Sequence, residues 1–209
     1  MYTLFGTQGS GSAAVEAALE IAGLPYRNVR ASTWEADSAQ AELHQLNPLG
    51  QIPTLQTPDG VLTESAAILI HLGLVHPASG LLPADPAARA QSIRGLVYIA
   101  ANCYSAISII DYPERWCAEP DDATGERIRR GTRARLHQHW SVFADQFPAA
   151  PFLSGASLGG LDVLAAVVSK WSGARAHLRE QRPAFYAVLE KIEAQPAVAP
   201  VFARHWPAA

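Results

Sequence analysis

The sequence is poor in cysteine and has no large excess of charge of either sign. Its two cysteines, Cys103 and Cys117, are too few and too far apart for a disulfide framework or a redox pair. This cysteine usage is typical of a reducing cytoplasm, where we expect the protein to reside. Charged residues make up 17% of the chain and the net charge is −3, so neither nucleic acid nor an anionic membrane is an expected partner.

Long uninterrupted apolar runs are also missing. We find none near the length of about 20 residues that crosses a bilayer. The first residues, MYTLFGTQGSGS, lack the basic segment and long apolar run of a secretory signal. Hydrophobic residues still account for 49% of the 209 positions, enough for a sizeable core in one large domain or two small ones. We therefore expect a globular protein with no membrane partner.

Two motifs that form binding sites in other proteins lack the sequence context that such sites require. Residues 9–14, GSGSAA, fit the G-x-G-x-x-A fingerprint of dinucleotide sites. However, no acidic residue closes the second predicted strand, and too few strands follow for a doubly wound sheet. His137 and His139 stand two apart on a predicted helix, hence on opposite faces, and cannot share a metal ion. The sequence predicts no metal site and no permanently bound cofactor.

The first third of the chain alternates short strands with helices. Strands are predicted at 2–6 and 26–31, and helices at 12–23 and 37–46. A hairpin follows around Pro58-Asp59-Gly60, because proline presets φ and glycine accepts a positive φ. An apolar helix over 64–75 completes the order β-α-β-α-β-β-α, which predicts a small mixed sheet with helices on both faces.

The rest of the chain is predicted to be helical. Residues 77–88 are rich in Pro, Gly and Ala, as in a linker. Beyond them apolar residues recur at helical spacing, and residues 161–171 are apolar nearly all round, as in a helix buried inside a bundle. We expect an α/β domain over 1–76, this linker, and an all-helical domain over 89–209.

A proline interrupts a predicted strand in NPLGQIPTL, residues 47–55. Ile52 and Leu55 have strand character, but Pro53 cannot donate to a sheet ladder and belongs at a strand start or in a turn. A cis bond before Pro53 would turn the backbone N–H and C=O of Ile52 outward. Two interpretations stay open at this point: a proline that only starts the strand, or a backbone surface on which a ligand docks.

These features resemble the cytosolic glutathione transferase superfamily over essentially the whole chain. The similarity rests on the strand order, NPLGQIPTL, the later LTESAAILIHL, and a helical second half ending in RPAFYAVLEKIEAQPAV. It implies a thioredoxin-like N-terminal domain and an all-α C-terminal helical bundle. It also implies a homodimer that meets through helices 64–75 and 89–110, with Asn102 reaching the partner's site.

The resemblance implies that glutathione is the cosubstrate and suggests how it is held. The backbone of Ile52, before a cis Pro53, would bind the cysteinyl part like an added strand. Ser65, at a helix start, would receive the γ-glutamyl carboxylate, and Glu64 would pair with the adjacent ammonium. Gln51 would reach the glycyl end. Ser65 could also cap the helix, and the two roles are compatible.

Catalysis in this superfamily means lowering the pKa of the glutathione thiol. The usual donor is a Tyr, Ser or Cys in the loop after the first strand, which here is residues 6–14. Tyr2 comes too early, and Gly11 stands where a bacterial cysteine-type enzyme carries its thiol. Ser10 is the expected donor, with Ser12 as the alternative. The Gly11 N–H is a route that needs no hydroxyl, and both serines could simply cap the helix.

The expected activity is attack by glutathione on a small hydrophobic electrophile, as in detoxification. Tyr104 and Trp116 are the candidates to line the electrophile pocket between the domains. Isomerase activity is not favoured, because Ala13 and Ala14 follow the serines where the maleylacetoacetate isomerase branch has a cysteine and a basic residue. The alternative function is a non-catalytic glutathione-binding or scaffold protein of the same fold.

The second half also carries the superfamily's helix-start pattern, in FLSGASLGGLDVLAA. Asp162 is present, while Gly159 replaces the usual Ser or Thr at the cap. Glycine is an acceptable cap. We expect Asp162 to be structural rather than catalytic.

Overall fold

The computed structural model describes residues 1–119 and 121–207. The first elements are β1 (Tyr2–Gly6), α1 (Ser12–Ile21), β2 (Tyr26–Arg30), α2 (Gln40–Leu46), β3 (Thr54–Thr57), β4 (Gly60–Leu62) and α3 (Ser65–Val75). The strands form one sheet in the order β2-β1-β3-β4. β2 runs parallel to β1, whereas β3 is antiparallel to both β1 and β4. The predicted element order is confirmed.

The strand register brings three chain segments to one edge of this sheet. Phe5, near the end of β1, lies opposite Thr54, the first residue of β3. Leu62, the last residue of β4, lies opposite Leu55. The segments that follow β1, precede β3 and follow β4 therefore meet at the same edge.

The described residues after α3 form helices joined by connecting segments. The helices are α4 (Pro86–Tyr98), α5 (Ser105–Asp111), α6 (Asp122–Gln146), α7 (Gly160–Val168), α8 (Ala174–Gln181), α9 (Pro183–Glu193) and α10 (Ala199–His205). All nine residues of α7 are buried, as its apolar sequence predicts, and it packs against α1, α4 and α9. Helix α4 begins at Pro86, inside the predicted linker, because Asp85 caps it by accepting from the Ala88 N–H at 2.8 Å.

Helices α4 and α5 are joined by a π-helical turn, Ile99–Tyr104, into one helix from Pro86 to Asp111. This helix has 26 residues and an 18-residue window of mean hydropathy 1.4, so by length and composition alone it could cross a membrane. The sequence shows no uninterrupted apolar run of this length, because charged and polar residues interrupt it. Its buried side chains, Leu96, Ile99 and Cys103 among them, belong to the main hydrophobic core.

Asp162 ties the start of α7 to the loop before it. Its carboxylate accepts from the backbone N–H groups of Leu153 (2.7 Å), Ser154 (3.1 Å) and Gly159 (3.0 Å). The side chain is fully buried. The structural role expected of Asp162 is confirmed.

Candidate active site

Three chain segments share the sheet edge defined by the strand register. They are the loop of residues 7–11, the turn of residues 51–53, and the Glu64-Ser65 pair. α1 and α3 both begin here, and the N-terminus of a helix carries partial positive charge. The edge therefore offers backbone N–H donors in an environment that favours an anion.

The two candidate serines close the loop after β1. Ser10 donates its hydroxyl proton to the carbonyl of Thr7 at 2.7 Å, and its oxygen lies 2.8 Å from that of Ser12. Both serines are buried. A hydroxyl has only one proton to donate, so in this arrangement Ser10 holds its own loop together. Its assignment as the thiol-activating donor, with Ser12 as the alternative, stays a prediction.

Gly11 precedes α1 and contacts the helical half of the protein. Its N–H has no acceptor among residues 1–119 and 121–207. A Cβ at this position would overlap the hydroxyl oxygen of Tyr104, so only glycine leaves room for that side chain. Tyr104, predicted to line the electrophile pocket, thus reaches the mouth of α1.

Tyr104 is the last residue of the π-helical turn, and its ring stacks on Trp171 with centroids 5.5 Å apart. Burial, together with the nearby Glu64 carboxylate, raises the pKa of Tyr104 to about 12. The phenol is therefore protonated at neutral pH and able to donate.

The turn before β3 is held by the buried Asn47. Its amide donates to the carbonyl of Gln51 at 2.9 Å and to the hydroxyl of Thr54 at 3.2 Å. The Ile52-Pro53 bond is cis, as the resemblance implied. The backbone N–H and C=O of Ile52 make no hydrogen bond within the part of the chain that the structure describes. They are free to pair with a ligand backbone.

The start of α3 leaves its donors available. Glu64 has φ = 63° and ψ = 107°, a conformation that L residues rarely adopt and that tends to occur at functional sites. No side chain among the described residues caps the helix, so the capping role considered for Ser65 is not observed. Ser65 is a buried residue, only 5% exposed, yet its hydroxyl makes no hydrogen bond to any described residue.

The C-terminal helix anchors the loop after β1, which sequence reasoning missed. Gly9 N–H donates to Nδ1 of His205 at 3.2 Å, and Nε2 of His205 lies 2.8 Å from Glu16 in α1. Arg204 bonds the other Glu16 oxygen at 2.7 Å. Burial raises the pKa of Glu16, but hydrogen bonds from His205 and Arg204 outweigh it and bring the value to about 2. These contacts join residues nearly the whole chain apart.

Of the remaining predicted residues, only Gln51 belongs to one of the three segments at the sheet edge. Trp116 ends a short helix over 113–116 and is 60% exposed. Asn102 donates to the carbonyl of Tyr98 in its own helix at 3.1 Å. The Gln51 side chain is exposed, beside Ile52. Roles for these side chains stay predictions.

Comparison with known proteins gives one consistent result. Residues 1–73 match the family model of the glutathione S-transferase N-terminal domain. The GST-like protein YncG of Escherichia coli K12 is 28% identical over 98% of both chains. The maleylacetoacetate isomerase maiA of Aspergillus fumigatus is 28% identical over 95% of this chain and 87% of its own. A glutathione transferase homologue from Sulfitobacter, solved with bound glutathione, superposes with a TM-score of 0.85 at 26% identity over 96% of each chain.

These matches cover both halves of the protein. They agree with the four-stranded mixed sheet and with the helical remainder, so the expected fold class, thioredoxin-like followed by all-helical, is confirmed. The resemblance stated from the sequence is confirmed with it. The chain belongs to the cytosolic glutathione transferase superfamily.

Proposed function

We propose that this protein binds glutathione at the described sheet edge and activates its thiol for attack on a small hydrophobic electrophile. The observation that carries the proposal is the unpaired backbone of Ile52 beside the uncapped start of α3 at Ser65. An extended peptide needs backbone partners, and its terminal carboxylate needs donors. Both are free at this edge.

Each end of glutathione has a partner in the proposal. The cysteinyl backbone pairs with the N–H and C=O of Ile52, like a short added strand. The γ-glutamyl carboxylate accepts from the Ser65 hydroxyl and the first amides of α3, where the helix dipole favours negative charge. Glu64 binds the adjacent ammonium. Gln51 donates to the glycyl end.

The thiol then lies toward the mouth of α1. A free thiol has a pKa near 8.5, and donors at a helix N-terminus lower it by about one to two units, which makes the thiolate available at neutral pH. Ser10, Ser12 and the Gly11 N–H are the nearby groups that the sequence offered. The Gly11 N–H is the one of the three that has no acceptor among the described residues.

A second candidate function is glutathione binding without catalysis. The observation that favours it is the bonding of the Ser10 and Ser12 hydroxyls inside their own loop. Such a protein would hold glutathione with an unshifted thiol and act as a carrier or scaffold.

The association state and cellular role belong to the same proposal. We propose a cytoplasmic homodimer with a role in detoxification. The exposed apolar side chains Leu74 and Val75 on α3 and Val97 on α4, each 48–54% exposed, support pairing through these helices, with Asn102 near the partner's site. Light scattering that gives a mass near the 22.4 kDa of one chain would contradict the dimer.

Calorimetric titration with glutathione tests the binding site. Ser65→Ala should weaken binding about tenfold or more, because a hydrogen bond to a charged group contributes about 1.5–3 kcal/mol. The matched control is Ser157→Ala, an exposed serine outside the site, which should bind as the unaltered protein does. Equal affinity of all three proteins would refute the assignment of Ser65.

Turnover decides between the two functions. The expected result is conjugation of glutathione to an activated aryl chloride at a rate above the uncatalysed reaction. Because the Aspergillus fumigatus relative is named a maleylacetoacetate isomerase, maleylacetoacetate is the second substrate to assay. Tight binding with no turnover of either substrate would support the non-catalytic function.

A further inference from the structure

Tyr104, predicted from the sequence to line the electrophile pocket, approaches the loop after β1. Tyr104 comes from the helical half, at the C-terminal end of a π-helical turn, a feature often found at functional sites. Its hydroxyl oxygen occupies the space where a Cβ of residue 11 would stand. It therefore lies against the backbone at the mouth of α1, where the proposed function needs a thiol-activating group.

Two donors meet at this point without an acceptor. The Tyr104 hydroxyl makes no hydrogen bond to any residue in the ranges 1–119 and 121–207, and the same holds for the Gly11 N–H. Leaving a partly buried donor without an acceptor costs the protein free energy, and a ligand that accepts from the donor removes that cost. An electron-rich atom, such as a thiolate sulfur, satisfies both at once.

The Tyr104 ring is also fixed before any ligand arrives. It stacks on Trp171 at an interplanar angle of 30°. Its backbone belongs to a helix whose residue Cys103 lies in the main core. A donor held in this way needs little reorganisation to meet developing charge, which is the requirement for electrostatic stabilisation.

We propose that Tyr104, rather than Ser10, is the side chain that donates a hydrogen bond to the glutathione thiolate, together with the Gly11 N–H. This inference rests on the proposed function, since it presupposes glutathione at the sheet edge. The thiol proton leaves to solvent, and Tyr104 keeps its own proton. The sulfur electron pair then forms the bond to the electrophile carbon as the leaving group departs with its electrons.

The test follows the thiolate absorbance of bound glutathione across pH. Tyr104→Phe should raise the thiol pKa by about one to two units and lower kcat/KM by about 10- to 100-fold, as expected for loss of one hydrogen bond to a charged atom. Glutathione affinity should change less than about threefold. Ser10→Ala should raise the thiol pKa less than Tyr104→Phe does, and the control Tyr186→Phe, on α9, should leave it unchanged.

Gly11→Ala provides a second variant that leaves the tyrosine in the chain. The φ of Gly11 is −63°, which alanine adopts without strain, so the added Cβ acts by displacing the Tyr104 hydroxyl. The thiol pKa should rise here as well, and combining Gly11→Ala with Tyr104→Phe should add little further. Gly131→Ala, on α6 with open space around it, is the matched control.

The outcomes separate the two proposals. No binding of glutathione by the unaltered protein would overturn the proposed function and the role of Tyr104 together. Binding with an unshifted thiol would overturn the role of Tyr104 while the binding site stands. Binding with a lowered thiol pKa that Tyr104→Phe leaves within a few tenths of a unit would overturn Tyr104 alone, and a rise in Ser10→Ala would return the assignment to Ser10.

Discussion

Glu16→Gln should destabilise the protein strongly at neutral pH and much less in acid. Glu16 sits in α1 with a side chain only 5% exposed, and its carboxylate binds Arg204 and His205 of the C-terminal helix. Glutamine keeps the size of the side chain but removes its negative charge. The buried imidazole and the guanidinium then lose the charged acceptor that they share.

The magnitude follows from the pKa of Glu16. Its fall from the ordinary value of 4.5 to about 2 corresponds to about 3 kcal/mol, since one pKa unit is worth about 1.4 kcal/mol. Because the folded pKa is the lower one, this stability is fully present above pH 4.5 and is lost as the pH falls toward 2. At pH 7 we expect Glu16→Gln to lower the free energy of unfolding by about 2–3 kcal/mol.

Urea unfolding at fixed protein concentration between pH 7 and pH 3 measures this dependence. The difference in the free energy of unfolding between Glu16→Gln and the unaltered protein should decrease steadily below pH 4.5. Glu42→Gln, at an exposed position on α2, is the matched control and should lie within about 0.5 kcal/mol of the unaltered protein throughout. A difference in unfolding free energy between Glu16→Gln and the unaltered protein that is below about 0.5 kcal/mol at pH 7 would refute the reasoning. So would a difference of the same size at pH 7 and at pH 3.

Three further predictions concern stability and binding. Asp162→Asn replaces a carboxylate that accepts hydrogen bonds from three backbone N–H groups with an amide that has one oxygen. Thermal unfolding should therefore show a free energy of unfolding lower by about 3 kcal/mol or more, and a decrease under about 1 kcal/mol would contradict the anchoring role. Asn47→Ala should weaken glutathione binding in calorimetry about tenfold without moving the thiol pKa, because it releases the turn that presents the backbone of Ile52. Unchanged affinity would count against this role of the turn. Gly95→Ala should lower the free energy of unfolding in urea by about 1–3 kcal/mol, since its Cβ would stand 2.7 Å from Leu161. Gly131→Ala should instead be neutral or stabilising. A larger loss of stability for Gly131→Ala than for Gly95→Ala would show that α4 and α7 are not packed as described.

The sheet and its turns were predictable because their signals are local. The hairpin at Pro58-Asp59-Gly60, the interruption at Pro53 and the apolar α7 each depend on neighbouring residues, and all appear where expected. The resemblance supplied the cis bond at Pro53, which periodicity alone left as one of two interpretations. Local rules therefore carried the element order, whereas the resemblance supplied the glutathione-binding roles, which stay predictions.

The proposed donor to sulfur was not predictable in the same way. The loop sequence drew attention to Ser10 because it stands after the first strand, but nothing in the sequence tells where its single proton points. Tyr104 was predicted only to line the electrophile pocket. Its approach to Gly11 depends on the π-helical turn and on packing between distant segments. The link between His205 and Glu16, 189 residues apart, is invisible to local patterns for the same reason.

The most direct test of the central claim is a titration of glutathione into the purified protein, with binding heat and thiolate absorbance followed together across pH. We predict saturable binding to one site per chain, with the thiol pKa of the bound tripeptide well below its free value near 8.5. The absence of binding heat at millimolar glutathione would contradict the assignment of the Ile52 and Ser65 site. Binding with an unshifted thiol would contradict the transferase proposal and leave a glutathione-binding protein without catalysis.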